Sequence, residues 1–121
     1  MFRKPLEVIV ERTDGCIGAL IMGTDGIAVE KFLTTEGHEA NLDVAAAEFT
    51  SLVRNAQRTC GDGGLGSLRE LVVASEKATL VMRLLSRDYF MVIALKEDGN
   101  LGRSRFELRK AELDLAKEFA L

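Results

Sequence analysis

Few side chains in this sequence are of a type and spacing that chemistry uses, and each has a competing explanation. The run Gly61-Asp62-Gly63-Gly64-Leu65-Gly66 matches G-x-G-x-x-G through Gly61, Gly63 and Gly66. That pattern cradles a pyrophosphate where the loop leaves a strand and opens a helix, so that the helix N-terminus meets the anion. Here helical periodicity precedes the loop and a strand pattern follows it. The inverted context makes Gly61 a helix C-cap and the rest a connector. No G-x-x-x-x-G-K-[ST] occurs, so the chain has no P-loop for a nucleoside triphosphate. The two cysteines, Cys16 and Cys60, and the single histidine, His38, fall short of the about four ligands a zinc site needs and lack metal-ligand spacing. No metal site is expected. The cysteines are open to two readings, reduced thiols acting as small apolar residues or a Cys16–Cys60 disulfide.

His38 lies in a polar stretch beside Glu36 and Glu39, where solvation is its ordinary role, and Cys16 is a nucleophile only if His38 folds over it. Asp62 and Asp98 sit in turns, where Asp bonds its own backbone. No carboxylate interrupts an apolar run that would raise its pKa. Arg103, Arg105, Arg109 and Lys110 cluster, but Glu107, Glu112 and Asp114 interleave with them, and the segment reads as a solvated helix face. Without a convergent polar set, the chain reads as a non-enzyme that needs no cofactor.

The elements that must position these residues are legible in outline. At 121 residues, with 47% hydrophobic and 29% charged residues, the chain reads as one domain, residues 1–121, able to bury a core without staples. A net charge of -3 leaves no overall positive field for nucleic acid. The opening MFRKPLEVIV is too short and too charged for a signal peptide or a membrane span, so a cytoplasmic protein without a membrane partner is expected.

Phe2, Leu6, Ile9 and Val10 recur at helical spacing, with Pro5 tolerated in the first turn and Thr13-Asp14-Gly15 as the stop. Cys16 to Met22 reads as a strand with Ile17, Ala19 and Ile21 on one face and Gly18, Leu20 and Met22 on the other; both faces are apolar. Gly23-Thr24-Asp25-Gly26 turns into a return strand, Ile27 to Leu33, whose Glu30 and Lys31 suit a sheet edge. After a polar stretch, Thr34 to Glu39, one long helix is expected from Asn41 to Thr59 with Asn41 as N-cap. Leu42, Ala45, Phe49, Leu52, Ala56 and Cys60 form its inward stripe, widened by Ala46 and Val53. Its alanines suit either close approach of another helix or simple helix propensity.

Three strands follow, Leu68 to Ser75, Ala78 to Ser86 and Tyr89 to Lys96, joined at Glu76-Lys77 and Arg87-Asp88. Asn100 caps a last helix with Leu101, Leu108, Leu115 and Phe119 in its stripe, Ala111 and Ala116 beside it, and Arg103–Glu107 and Lys110–Asp114 on its solvated side. The order α-β-β-α-β-β-β-α with short hairpins implies an α+β fold: a five-stranded antiparallel sheet in an α/β/α sandwich.

The run Gly15-Cys16-Ile17-Gly18-Ala19-Leu20-Ile21-Met22 with Thr24-Asp25-Gly26-Ile27-Ala28-Val29 resembles the opening hairpin of the Roadblock / dynein light chain 7 family. GNLGRSRFELRKAELDLA, positions 99 to 116, is similar to the end of its bacterial MglB-like branch, and the element order agrees. The resemblance implies a Roadblock/profilin-like fold and a homodimer in which the strand after the long helix pairs with its mate. It implies that the two middle helices form a platform for a small Ras-like GTPase, whose nucleotide state is regulated there or which is merely scaffolded.

On this reading the helix wheel leaves Glu48, Ser51, Arg54, Asn55 and Arg58 for the partner, with Arg54 and Arg58 as contact candidates. The dimer joint takes Ala46 and Val53 from the helix and Leu68, Glu70, Val72 and Ala74 from the strand. The alternative is a small-ligand sensor or binding domain of profilin-like or PAS-like shape. It requires a polar pocket within the sheet, whereas the strand faces are almost wholly apolar.

Overall fold

The computed structural model describes residues 2–116 and Glu118. Five strands form one antiparallel sheet in the order β2-β1-β5-β4-β3. They are β1 (Cys16–Gly23), β2 (Ala28–Leu33), β3 (Glu70–Ala74), β4 (Ala78–Leu84) and β5 (Tyr89–Lys96). The helices are α1 (Arg3–Arg12), α2 (Thr35–Glu39), α3 (Leu42–Glu48), α4 (Thr50–Asp62) and α5 (Leu101–Leu115). The expected α+β sandwich is the observed one. Leu6, Ile9, Leu108, Ala111 and Leu115 of α1 and α5 pack on one face, with Ala19, Ile21, Val81, Met91, Ile93 and Leu95 of the strands. Leu42, Ala46 and Val53 of α3 and α4 cover the other, over Leu20, Met22, Leu80, Met82, Phe90, Val92 and Ala94.

The start of β1 departs from strict alternation, with Cys16 on the α1–α5 face and Ile17 on the other. A register shift between Cys16 and Gly18 against β5 makes a bulge at Ile17, which turns it to the α3–α4 face with Leu20 and Met22. Ile17 O then accepts from Thr34 N at 3.0 Å and from Thr34 Oγ1 at 2.9 Å. The same Thr34 hydroxyl accepts from Gly37 N at 3.2 Å, so the polar stretch becomes the short helix α2 with Thr34 as N-cap.

The single long helix expected over 41–59 is two helices. The Thr50 hydroxyl bonds back to Ala46 O at 3.1 Å, a side-chain bond that bends helices, and the break falls at Phe49. Asn41 precedes α3 in the left-handed region (φ 53°) and makes no side-chain cap. The inward stripe is Leu42, Ala46, Thr50 and Val53 rather than the more apolar row through Leu52, which is 41% exposed.

Helix α4 also runs past Gly61 to Asp62. Its end is a Schellman motif, with Leu65 N on Cys60 O at 2.9 Å, Gly64 N on Gly61 O at 3.3 Å, and Gly64 at φ +73°. The C-cap is therefore Gly63, not Gly61. Asn100 does cap α5, accepting from Arg103 N at 2.9 Å. Phe119, expected in its stripe, lies outside the described residues.

Gly15 stands at φ +81°, and a Cβ there would strike Gly99 Cα. Gly15 O accepts from Lys96 N at 2.8 Å and Asp14 O from Asn100 N at 3.0 Å, so the α1–β1 and β5–α5 corners are stitched backbone to backbone. Gly15→Ala should cost about 2 kcal/mol or more through strain and overlap, read as a lower urea midpoint. Gly61→Ala, in the last turn of α4 at negative φ with nothing within 4 Å of the added carbon, should raise stability by about 0.5 kcal/mol, read as a higher urea midpoint.

Candidate functional site

Helices α3 and α4 cover the sheet face on which Leu71 and Val73 of β3 also pack. Glu48, Ser51, Arg54, Asn55 and Arg58 all stand exposed on that helical face. Arg54 Nη1 donates to Thr24 O at 2.5 Å, and Gln57 Nε2 donates to Arg87 O at 3.0 Å. Helix α4 thereby holds both the β1–β2 and β4–β5 turns. Val44, 57% exposed, joins Leu52 as an apolar element of this surface. Ala46 and Val53, expected at a dimer joint, are each 0% exposed within the protomer and belong to its own core. Expected to widen the inward stripe, they are its centre and are spent on the protomer's own core, while Leu52 turns outward.

The hydrogen-bond pattern of β3 assigns its edge residue by residue. Leu84 N donates to Arg69 O at 3.0 Å and Ser75 N to Ala78 O at 2.9 Å. With the register Leu71↔Met82 and Val73↔Leu80, the residues 69, 71, 73 and 75 spend their backbone groups on β4. Glu70, Val72 and Ala74 turn theirs to the open edge. These are three of the strand residues expected at the joint. Leu68, the fourth, precedes the strand and packs partly against the α3–α4 core with Leu71 and Val73. Val72 packs partly on the opposite core. The Glu70 carboxylate is occupied within its own chain, 3.1 Å from Arg105 Nε and 3.9 Å from Arg83 Nη1.

The other sheet edge is different. Strand β2 carries Glu30 and Lys31 and is irregular beside Met22. Lys31 Nζ lies 3.1 Å from Asp43 Oδ2, and this hydrogen bond holds the Asp43 carboxyl below its usual range.

Among the described residues no group of three or more His, Cys, Asp and Glu side chains could hold a metal ion, and no helix is long and apolar enough to cross a membrane. His38 lies exposed on α2. Glu107, expected on the solvated side of α5, is 1% exposed, 2.7 Å from Arg103 Nη2 and 3.8 Å from Lys110 Nζ.

The chain matches no family model and no curated protein. It is similar to solved structures. MglC from Myxococcus xanthus is 37% identical, covering 97% of this chain and 98% of that one, with a TM-score of 0.74. A Roadblock/LC7 domain from Streptomyces avermitilis is 13% identical over 98% and 97% of the two chains, with a TM-score of 0.84. MglB with a tetrameric arrangement is 22% identical over 99% and 90%, with a TM-score of 0.85.

Both cysteines are free. Cys16 packs in the α1–α5 core while Cys60 rides on α4 over the other face, so the sheet separates them and the disulfide reading falls. Burial pushes the Cys16 thiol from 9.0 up to about 11. At pH 8 an aromatic disulfide reagent should label Cys60 promptly and Cys16 only after unfolding. Because the folded pKa is the raised one, the stability this group lends is full below about 9 and lost as pH rises through about 11. The urea midpoint of Cys16→Ala should therefore fall less steeply over that window than that of the unaltered chain.

Proposed function

The chain belongs to the Roadblock/LC7 family, on its MglB-like side, and from that premise we propose that it is a homodimeric module that binds and regulates a small Ras-like GTPase in the cytoplasm. It carries no active site of its own on this reading and acts on the nucleotide state of its partner, as an activator of hydrolysis or as a scaffold. The observation that carries the proposal is the open β3 edge, together with the exposed polar face of α4. Glu70, Val72 and Ala74 hold backbone groups ready for a second strand. Pairing with a second copy about a two-fold axis at Val72 uses all three, Val72 against its mate and Glu70 against the mate's Ala74. The two α4 helices then approach across the joint with Leu52 near it. Glu48, Ser51, Asn55 and Arg58 remain outward as a platform, together with Arg54 where it is not engaged by Thr24 O. Arg58 has no ion pair among the described residues and is the freer of the two arginines for a GTPase. The ligand-sensor alternative gains no support from the sheet, because its two faces are filled by side chains.

Light scattering after size exclusion should give twice 13.3 kDa. Val72→Pro removes a donor that β4 does not use, so it should yield a folded monomer, whereas Val73→Pro removes a bond of the protomer's own ladder and should unfold it more readily. A monomeric unaltered chain overturns the dimer.

A GTP-loaded small GTPase from the same genome should bind the dimer more tightly than its GDP form, since a partner with equal affinity for two states shifts neither. Arg54→Glu with Arg58→Glu should weaken binding about ten-fold or more. Arg54→Ala alone separates loss of the Thr24 tether from loss of contact. Equal binding of both nucleotide forms in calorimetry would exclude regulation of the switch.

A further inference from the structure

A cleft of about 600 Å³ opens at the end of the sheet, between the C-terminal end of α4, the segment leading into β3 and the β4–β5 turn. Its floor is apolar, from Leu68, Leu84 and Leu85, and Arg83 enters it from β4. Arg83 is a positioned and half-used arginine. Its side chain is only 19% exposed, and its Nε donates to Glu112 Oε1 at 2.6 Å. The approach of its Nη1 to Glu70 Oε1, at 3.9 Å, is beyond hydrogen-bond reach. The terminal nitrogens of the fork therefore make no hydrogen bond to either carboxylate, while Glu112 holds the guanidinium through Nε.

The local charge does not cancel. Glu112 is taken up by Arg83 and Glu70 by Arg105. Arg69, before β3, and Arg87, in the β4–β5 turn, both line the cleft and form no ion pair among the described residues. An acidic protein of net charge -3 thus carries a concave positive site with a greasy floor and the hydroxyls of Ser67 and Ser86 at its rim. The volume lies in the range of small-molecule sites.

We infer that this cleft binds a small organic anion, with a phosphate or carboxylate head on the fork of Arg83 between Arg69 and Arg87 and a short apolar body over Leu68, Leu84 and Leu85. The site borders the end of α4 at Gln57 and Gly61 and the start of β3 at Leu68 and Arg69, but uses none of Glu48, Ser51, Arg54, Asn55 and Arg58, and requires no GTPase.

Nitrogen-15 amide spectra of the full chain, titrated with hexyl phosphate, hexanoate, hexanol and inorganic phosphate, test this. Hexyl phosphate and hexanoate should shift the amides of Ser67, Arg69, Arg83 and Ser86 saturably, and the tighter of the two names the head group. Hexanol should bind at least about ten-fold more weakly, and inorganic phosphate should shift the same amides with lower affinity. Arg69→Ala with Arg87→Ala, both exposed, should leave the remaining spectrum in place and weaken the organic anions about ten-fold. Arg83→Lys keeps the charge but loses the fork and should also weaken them. Three results overturn the inference: hexanol binding as tightly as hexyl phosphate, unchanged binding in the double variant, or shifts spread equally to Arg54, Arg58, Arg103 and Arg109.

Discussion

The sheet buries both of its faces, and the other features of the molecule answer to that constraint. Every residue of β1 is buried, and β5 is buried from Phe90 to Leu95. Helices must cover both sides, α1 and α5 on one and α3 with α4 on the other, and the strand interiors have no room for polar chemistry. The buried polar residues accordingly sit on helices or at a corner. They are Thr13 after α1, Thr50 in α4, and Ser104 and Glu107 in α5. Two of these hydroxyls are satisfied locally, Thr50 by Ala46 O and Ser104 by Leu101 O. What remains for recognition is the periphery: two strand edges, the outer helix surfaces and the clefts where turns meet helix ends.

The same constraint explains what was legible in the sequence. Strands apolar on both sides announce themselves by composition, and the bounds read for β5 are those observed. Phase was harder. The bulge at Ile17 reverses the faces of Cys16 and Ile17, and no propensity marks it, because the freed Ile17 carbonyl is bonded by Thr34, a residue of the distant α2 cap. On the middle helices the true inward row contains Thr50, which hydrophobic periodicity discounts, while the more apolar neighbouring row holds Leu52 at the surface. Ala46 and Val53, read as widening the inward stripe, are so fully buried in the protomer that they are lost as joint residues. The misplaced row left Glu48, Ser51, Arg54, Asn55 and Arg58 correctly outside, because they face away from both rows. The outward backbone of Glu70, Val72 and Ala74 agrees with the alternation read from the strand, yet which alternate set faced outward depended on the hairpin register at Ser75 and Ala78.

Charges were the least legible feature. Along α5 acids and bases alternate, which in sequence reads as cancellation on a solvated face. In the fold they separate by direction. Glu107 turns inward under Arg103 and Lys110, while Arg105 and Glu112 reach the sheet, to Glu70 and Arg83. These last pairs span 35 and 29 residues of sequence, out of reach of any i,i+4 rule. Burying Glu107 makes no strong case for stability, since desolvation offsets much of the attraction. Its consequence is geometric, because it ties two cations over the Phe106 ring, at 5.2 Å for Arg103 and 5.7 Å for Lys110.

The two edges of the sheet argue for a closed assembly over an open one. Strand β2 is irregular, bears Glu30 and Lys31, and is tied by Lys31 to Asp43 on α3, all of which oppose a new strand. Strand β3 is regular, its one charged residue, Glu70, is neutralised by Arg105 within the chain, and Leu71, Val72 and Val73 are only partly buried on either face. A β3-to-β2 contact between copies would be heterologous, leaving one free edge of each kind and propagating without end. A β3-to-β3 contact is isologous and consumes the vulnerable edge in a single step, leaving only the defended β2 edges outside. The unequal chemistry of the two edges is therefore what the proposed two-fold pair rests on, since it consumes the less defended edge and leaves the charged, irregular one outside.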